Sequence, residues 1–156
     1  MGFFDRFSTD IGIDLGTCNT LIYVRGKGIV IDEPSVVAVE KGTKRILAVG
    51  SEAKNMLEKT PSNIIAIRPL ADGVISDIDS CERMIKYFIQ KITPKHQIIK
   101  STRMKIGIPS CVTDVERRAV IEAALKAGAK EVEVIEESKA AAIGAKIPIF
   151  EPAGHM

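Results

Sequence analysis

Aromatic residues are scarce in this chain of 156 residues: Trp is absent, and Phe and Tyr together make up only 4%. Proteins that hold single-stranded nucleic acid stack its bases on aromatic side chains, so a stacking platform is not expected here. Charge of one sign is lacking too, because the net charge is only +2 and the Lys and Arg residues are dispersed. Both deficits argue against a nucleic-acid partner.

Cysteine and histidine are few and widely separated. Cys18, Cys81 and Cys111 include no CxxC pair, and His96 and His155 lie in polar or terminal stretches. A structural zinc site needs several such ligands at close spacing, so none is predicted. The thiols are expected to be reduced and at least half-buried, as in a cytosolic protein.

Long hydrophobic runs are also missing. No segment approaches the ~20 apolar residues that cross a bilayer, and the N-terminus lacks the apolar stretch of a secretory signal. The N-terminus does contain Phe3, Phe4 and Phe7, which share one face at helical spacing. This pattern suits a short foot at a membrane interface, the alternative being a tail whose rings pack on the domain.

A polar motif lies between two apolar strands near the start of the chain. Asp14 ends the first strand, Thr20 opens the second, and the residues between them include Gly16, Thr17, Cys18 and Asn19. Main-chain N–H groups at such a glycine can approach an anion, and the Thr and Asn side chains can add donors. Asp14 suits Mg²⁺, directly or through water. The motif predicts a phosphate-and-magnesium hairpin, the alternative being an ordinary tight turn.

Hydrophobic periodicity predicts that strands and helices alternate along the chain. Thr113 and Glu116 form a capping box, and strand–helix–strand units of this length favour parallel pairing. We therefore expect an α/β fold with a mixed five-strand sheet flanked by helices. The predicted strands cover residues 11–15, 20–24, 28–32, 35–39, 46–49, 64–67, 104–108 and 132–135, and the predicted helices cover 51–59 (with Ser51 as N-cap), 78–92, 114–127 and 138–145.

Acidic residues lie where predicted strands end. Ligands of open α/β sheets bind beyond the carboxyl ends of the strands, so Asp14 and the segments after Ile108 and Ile135 should meet at one edge. Glu136 and Glu137 stand where the last strand becomes a helix, and a carboxylate there could orient a water for attack on a γ-phosphate. Acids also favour helix starts for structural reasons, so the residues alone leave both interpretations open.

The string from Ile13 to Thr17, followed by Asn19 and Thr20, resembles the first phosphate motif of the actin, heat-shock chaperone and sugar kinase ATPases. The stretches 24–30 and 33–38 resemble the MreB family of bacterial actin-like rod-shape proteins. The resemblance implies an actin-like (ribonuclease H-like) fold with only the first of two domains present. Residues 1–9 would then form a membrane-binding segment, 10–32 and 77–146 a core subdomain, 33–76 a small inserted subdomain, and 147–156 the start of a link to the second domain.

The resemblance also implies a function. It points to the N-terminal half of a membrane-associated, ATP-dependent filament protein that determines rod shape by directing cell-wall synthesis. The protein would be cytoplasmic and peripheral at the inner face of the membrane, with ATP and Mg²⁺ as cofactors. Its partners would be further copies of itself and membrane proteins of the cell-elongation machinery. Gly16, Thr17, Cys18 and Asn19 would contact phosphates, Asp14 the magnesium shell, Glu137 the attacking water, and Phe3, Phe4 and Phe7 the membrane.

The chain departs from the family pattern just after Glu137. A Pro-Met pair is usual there, whereas this chain has Ser138-Lys139. Loss of the proline could loosen the helix start, and Lys139 could pair with Glu137 and blunt its role. Both changes bear on hydrolysis rather than on nucleotide binding.

Two other classes share the first hairpin. A heat-shock-type chaperone ATPase would need a longer segment between the third strand and the first core helix. A small-molecule kinase would need a substrate-binding insert. Neither feature is evident in this sequence. A binding module without nucleotide chemistry requires the hairpin to be coincidental.

Because one side of a nucleotide-binding cleft cannot exclude water by itself, we expect millimolar or weaker ATP binding and no measurable turnover from these residues alone.

Overall fold

The computed structural model describes residues 9–59, 62–71, 74–92 and 102–148. Strands and helices alternate through these ranges much as the periodicity predicts. In chain order the elements are β1 (Thr9–Leu15), β2 (Asn19–Val24), β3 (Gly28–Pro34), β4 (Val37–Glu40), β5 (Ile46–Val49), α1 (Ser51–Glu58), β6 (Ile64–Ile67), β7 (Leu70–Ala71), β8 (Val74–Ile75), α2 (Ile78–Ile92), β9 (Thr102–Ile108), α3 (Asp114–Lys126), β10 (Glu131–Glu136) and α4 (Glu137–Gly144).

Five strands form the main sheet, in the order β10-β9-β1-β2-β3. The first three strands of the chain pair antiparallel, whereas β9 runs parallel to both β1 and β10. The prediction of a mixed five-strand sheet is therefore confirmed. Because β1, β9 and β10 are parallel, their carboxyl ends lie at the same edge of the sheet.

One face of the main sheet carries the hydrophobic core. Along β1, Ile13 and Leu15 are buried whereas Asp14 between them is exposed, because successive side chains point to opposite faces. Helices α2 and α3 cover the buried face, and the ring of Phe88 in α2 is completely enclosed. Burial raises the pKa of the nearby Cys81 thiol to about 12, so this cysteine is an inert part of the core.

The insert forms its own small sheet, in the order β5-β4-β6, with α1 packed beside it. Small side chains fill the space between them, chiefly Ala38, Ala48 and Ala53. Val37 and Val39, on the other face of β4, belong to the main core. The insert is therefore packed onto the core through β4.

One local prediction for the first helix was wrong, and one short pair of strands was not predicted. Ser51 is not the N-cap of α1; the N-cap is Gly50, at φ 69°, which offers no side-chain hydrogen bond. The Glu33 carboxylate instead accepts the Ser51 N–H at 2.7 Å. The short antiparallel pair β7–β8 is not predicted at all, since two-residue strands carry no periodic signal. The capping box of α3 at Thr113 and Glu116 is confirmed.

Some predictions lie outside the described residues. These are the foot formed by Phe3, Phe4 and Phe7, the two histidines, and residues 149–156 of the expected link. Within the described part of the chain, no helix is both long enough and apolar enough to cross a membrane.

Candidate functional site

Register brings the acidic residues to one edge of the main sheet. Asp14 lies opposite Gly107 in the pairing of β1 with β9, and Gly107 lies opposite Ile135 in the pairing of β9 with β10. Glu137 follows two residues later as the first residue of α4. Asp14 and Glu137 thus stand at neighbouring positions with only β9 between their backbone segments.

The turn after Asp14 depends on glycine for space rather than for an unusual φ angle. A Cβ added to Gly16 would lie 2.6 Å from the carbonyl oxygen of Asn19, closer than real Cβ atoms approach. Gly16 is not among the glycines with positive φ. Gly16 is therefore explained by how closely these two backbone segments approach each other. The sequence motif gives a different reason for the glycine, which is access for an anion.

A chain of buried hydroxyls holds this turn in place. Ser35 Oγ donates to the carbonyl oxygen of Gly16 at 2.6 Å and lies 2.9 Å from Thr20 Oγ1, so the Thr20 hydroxyl donates to Ser35. Both side chains are fully buried. The prediction that Thr20 offers a donor to an anion was therefore wrong, because its hydroxyl is committed to the turn. Ser35 supports the candidate site from within the core, and the sequence does not predict this role because Ser35 lies 19 residues from Gly16.

The remaining turn residues face the surface. Cys18 and Asn19 are exposed and Thr17 is partly exposed. The expectation that the thiols are at least half-buried was therefore wrong for Cys18, and also for the exposed Cys111. The Asn19 side-chain amide donates to Asp32 Oδ1 at 3.2 Å, which leaves its second amide hydrogen for another acceptor. This stretch therefore presents polar groups at the same edge as Asp14.

Glu137 has the electrostatics of a weakened acid. Partial burial of its carboxyl raises the pKa of Glu137 above the ordinary value, and the negative charge of Asp14 raises it further. A carboxyl with a raised pKa gives a more basic carboxylate, which suits proton abstraction near neutral pH. The like charges also indicate that a cation placed between the two carboxylates would be favoured.

The two residues after Glu137 have partners other than Glu137. Lys139 Nζ donates to the Glu136 carboxylate at 2.9 Å, so the expectation that Lys139 could pair with Glu137 was wrong. Ser138 Oγ lies 3.1 Å from Ser110 Oγ, beyond the end of β9. Both contacts leave the Glu137 side chain directed toward Asp14 and Gly107.

The donors at this edge fit magnesium only in one mode. Across the described ranges, no three His, Cys, Asp or Glu side chains come together as a metal-binding group. Mg²⁺ commonly keeps most of its waters and takes one or two carboxylates together with substrate phosphates. The isolated Asp14 carboxylate fits that outer-sphere role, and a cage made entirely of protein ligands does not form here.

A cavity lies elsewhere on the same open face. It encloses about 450 Å³, and its walls include Asp10, Tyr23, Arg103 and Glu133. Arg103 and Arg25 both donate to Asp10 there, at 2.7 and 2.8 Å, and the hydrogen bond from Arg103 is the main cause of the lowered pKa of Asp10. This cavity lies toward the opposite end of the strands from Asp14 and Glu137 and is not the phosphate edge.

Solved structures with this architecture are actin-like proteins. The crystal structure of MreB5 of Spiroplasma citri bound to ADP matches with a TM-score of 0.83 and 38% identity, covering 95% of this chain and 44% of that chain. The MamK double helical filament matches with a TM-score of 0.77 and 22% identity, covering 90% and 44%. The fold described above is therefore that of an actin-like protein.

Within the actin-like proteins, the chain resembles one family in sequence. The family model of the MreB/Mbl protein matches residues 8–156, and the chain belongs to the MreB/Mbl family. It is 54% identical over 150 residues to the cell shape-determining protein Mbl of Bacillus subtilis (strain 168), covering 96% of this chain and 45% of the relative. It is 51% identical over 154 residues to the cell shape-determining protein MreB of Escherichia coli (strain K12), covering 96% and 44%. The chain thus spans less than half the length of these relatives.

Proposed function

We propose that this chain is the phosphate-holding half of a membrane-associated, ATP-dependent actin-like filament protein that determines rod cell shape by directing cell-wall synthesis. The observation that carries the proposal is the placement of Asp14, the turn at residues 16–19 and Glu137 at one edge of the sheet. The solved MreB5 relatives are bound to ADP and to AMPPNP, which supports a nucleotide as the ligand of this edge.

Each group at the edge has a separate role in this proposal. Main-chain N–H groups of Gly16, Thr17, Cys18 and Asn19 hold the phosphates of ATP, and the side chains of Thr17 and Asn19 add donors. Asp14 would hold Mg²⁺ through water, and a bound ion would supply positive charge beside the phosphates. Glu137 orients a water and accepts its proton as the water oxygen attacks the γ-phosphorus. The bond between the γ-phosphorus and the bridging oxygen breaks, which gives inorganic phosphate and ADP as the leaving group.

The remainder of a longer protein would supply the opposite wall of the nucleotide cleft. Because this chain spans less than half of its relatives, binding of the adenosine and of the far side of the phosphates is assigned to that remainder. In this arrangement residues 10–32 and 77–146 act as the core subdomain and residues 33–76 as the insert. Residues 147–156 lead to the second domain.

Membrane attachment is assigned to residues 1–9. Phe3, Phe4 and Phe7 would enter the inner face of the cytoplasmic membrane, and one such short foot binds weakly by itself. A filament carries many feet, so polymerisation converts weak contacts into firm attachment through multivalency. Membrane proteins of the cell-elongation machinery would meet the filament at that surface.

A chimera tests the proposal: residues 1–146 of this chain joined to the matching remainder of Bacillus subtilis Mbl. We expect it to sediment as filaments with MgATP, to co-sediment with anionic phospholipid vesicles, and to release phosphate slowly. Replacing Phe3, Phe4 and Phe7 by Ser should keep the filaments and abolish vesicle binding. A chimera that is folded by circular dichroism yet stays monomeric with MgATP would contradict the proposal.

A further inference from the structure

The end of β9 and the segment after it lie beside the start of α4, where Gly107 is next to the Glu137 side chain and Ser110 is next to Ser138. We infer that Gly107 and Ser110 position the Glu137 carboxylate, Gly107 by leaving space for it and Ser110 by holding the next residue of the helix. The inference deepens the proposed function, on which its catalytic consequence rests. Neither residue carries a group that would react, so both act through Glu137.

Gly107 occupies the space between the two acids. A Cβ added there would lie 3.4 Å from Cγ of Glu137 and 3.9 Å from Oδ1 of Asp14. The φ of Gly107 is not in the positive range, so the backbone does not require glycine at this position. Glycine in the interior of a strand weakens the strand and often marks a close approach. Here the close approach is that of the Glu137 side chain to the sheet.

The distances from the added Cβ define how large a side chain position 107 tolerates. A methyl group at 3.4 and 3.9 Å makes ordinary van der Waals contact, so alanine fits without moving either acid. The γ carbons of valine extend further along the same direction, into the space that the two carboxylates share. We therefore expect a graded response, with alanine close to the native protein and valine displacing Glu137 from Asp14.

Ser110 acts on the helix start. The N-cap of α4 is Glu136, and it provides no side-chain hydrogen bond to the first turn. Ser138 Oγ instead meets Ser110 Oγ at 3.1 Å, which joins the second residue of α4 to the segment after β9. A proline in the first turn of a helix presets the helical φ by itself, but this chain has serine at position 138. In this chain the hydroxyl pair performs that positioning role.

The kinetic test uses the chimera described above. G107V should lower kcat roughly tenfold to a hundredfold with little change in KM, because displacement of a catalytic group by about 1 Å costs rates of this order. G107A should stay within about twofold of the native protein, and S110A should lower kcat severalfold. Introducing S138P into S110A should restore kcat, since proline supplies the missing restraint. Equal kcat in G107V and the native chimera would overturn the inference.

A second measurement separates this inference from the proposed hydrolysis. The pKa of Glu137 is followed by carboxyl ¹³C NMR in the chain, with and without D14N. In the native background D14N should lower the pKa of Glu137, and in the G107V background it should change the pKa much less. Loss of this coupling without any ATPase activity in the chimera would uphold the positioning role and refute hydrolysis. Full coupling in G107V would refute the positioning role, whatever the chimera hydrolyses.

Discussion

Lys91, in the last turn of α2, donates a hydrogen bond of 2.7 Å to the carboxylate of Glu33 in β3. The same carboxylate accepts the N–H of Ser51 at the start of α1. Gly50 permits this arrangement, because a Cβ there would lie 2.6 Å from a Glu33 oxygen. One carboxylate therefore ties the main sheet to α2 and to the helix of the insert.

The Glu33 carboxylate should contribute stability that disappears in acid. Partial burial opposes ionisation, but the hydrogen bonds from Lys91 and Ser51 hold the pKa of Glu33 below its ordinary value. A lowered pKa gives stability that is present above the unfolded-state pKa and is lost as the pH falls through the folded-state pKa. We expect E33Q to lower the free energy of unfolding by about 1–2 kcal/mol at pH 7, and by less as the pH approaches 3.

Urea denaturation of the chain and of E33Q at pH 7 and pH 3.5 measures this difference. K91M is the matched control, and it should cost less than about 1 kcal/mol, because Lys91 is half exposed and exposed ion pairs are weak. A loss for E33Q that is the same at both pH values would contradict the assignment of the effect to the carboxylate charge.

Replacing Gly16 by alanine should distort the turn that follows β1. The new Cβ would overlap the Asn19 carbonyl oxygen, so one of the two backbone segments must move. We expect a loss of about 1–3 kcal/mol in unfolding free energy, the range for overpacked sites. Denaturation measures the loss, and G12A within β1 is the control, since its Cβ would meet only Tyr23 Cβ at 3.8 Å. Equal effects of G16A and G12A would contradict the steric explanation.

The buried hydroxyls of Ser35 and Thr20 should be energetically coupled. S35A leaves the Gly16 carbonyl without its 2.6 Å donor and the Thr20 hydroxyl without an acceptor, which should cost about 1–3 kcal/mol. T20V removes only the hydrogen bond between Thr20 and Ser35, so its loss of unfolding free energy should be smaller. A double-mutant cycle on the unfolding free energy measures the coupling, and additive effects would show that the two hydroxyls act independently.

Hydrolysis by the chimera should rise with pH through the raised pKa of Glu137. The carboxylate must be ionised to accept a proton, and both its partial burial and the charge of Asp14 keep it protonated to higher pH. D14N removes one of these causes, so the rise should move to lower pH even though magnesium binding is weakened. Saturating Mg²⁺ and ATP separate the shift of the pH profile from the weakened magnesium binding. In the same assay, E137Q should abolish turnover while leaving sedimentation with AMPPNP intact. A D14N profile displaced to higher pH would contradict the like-charge interaction.

The sequence alone predicts most of the fold because most elements are long enough to show a period. The alternation around Ile13 and the capping box at Thr113 both reflect interactions within a few residues. Gly50 is different, because the acceptor that completes its helix start is Glu33, from a strand 17 residues earlier. Ser51 is the better local N-cap, and a long-range carboxylate overrides it.

The candidate site was predictable to the extent that its residues form a contiguous motif. Asp14 and Gly16 are recognisable by their spacing, and Glu137 by its place after a strand. Gly107 looks like any strand glycine until the register of three strands is known. Lys139 is three residues from Glu136 and two from Glu137, and side chains three apart share a helix face, so helical spacing selects Glu136.

The separation between the Asp14 and Glu137 segments is set by interstrand hydrogen bonds. Parallel strands lie about 4.8 Å apart, so the two backbone segments on either side of β9 are held roughly 10 Å from each other. Loops that change in length, or an insert that changes in size, leave that spacing unaltered. A fold built in this way can vary widely at its periphery over evolution while the two acids keep a constant mutual geometry.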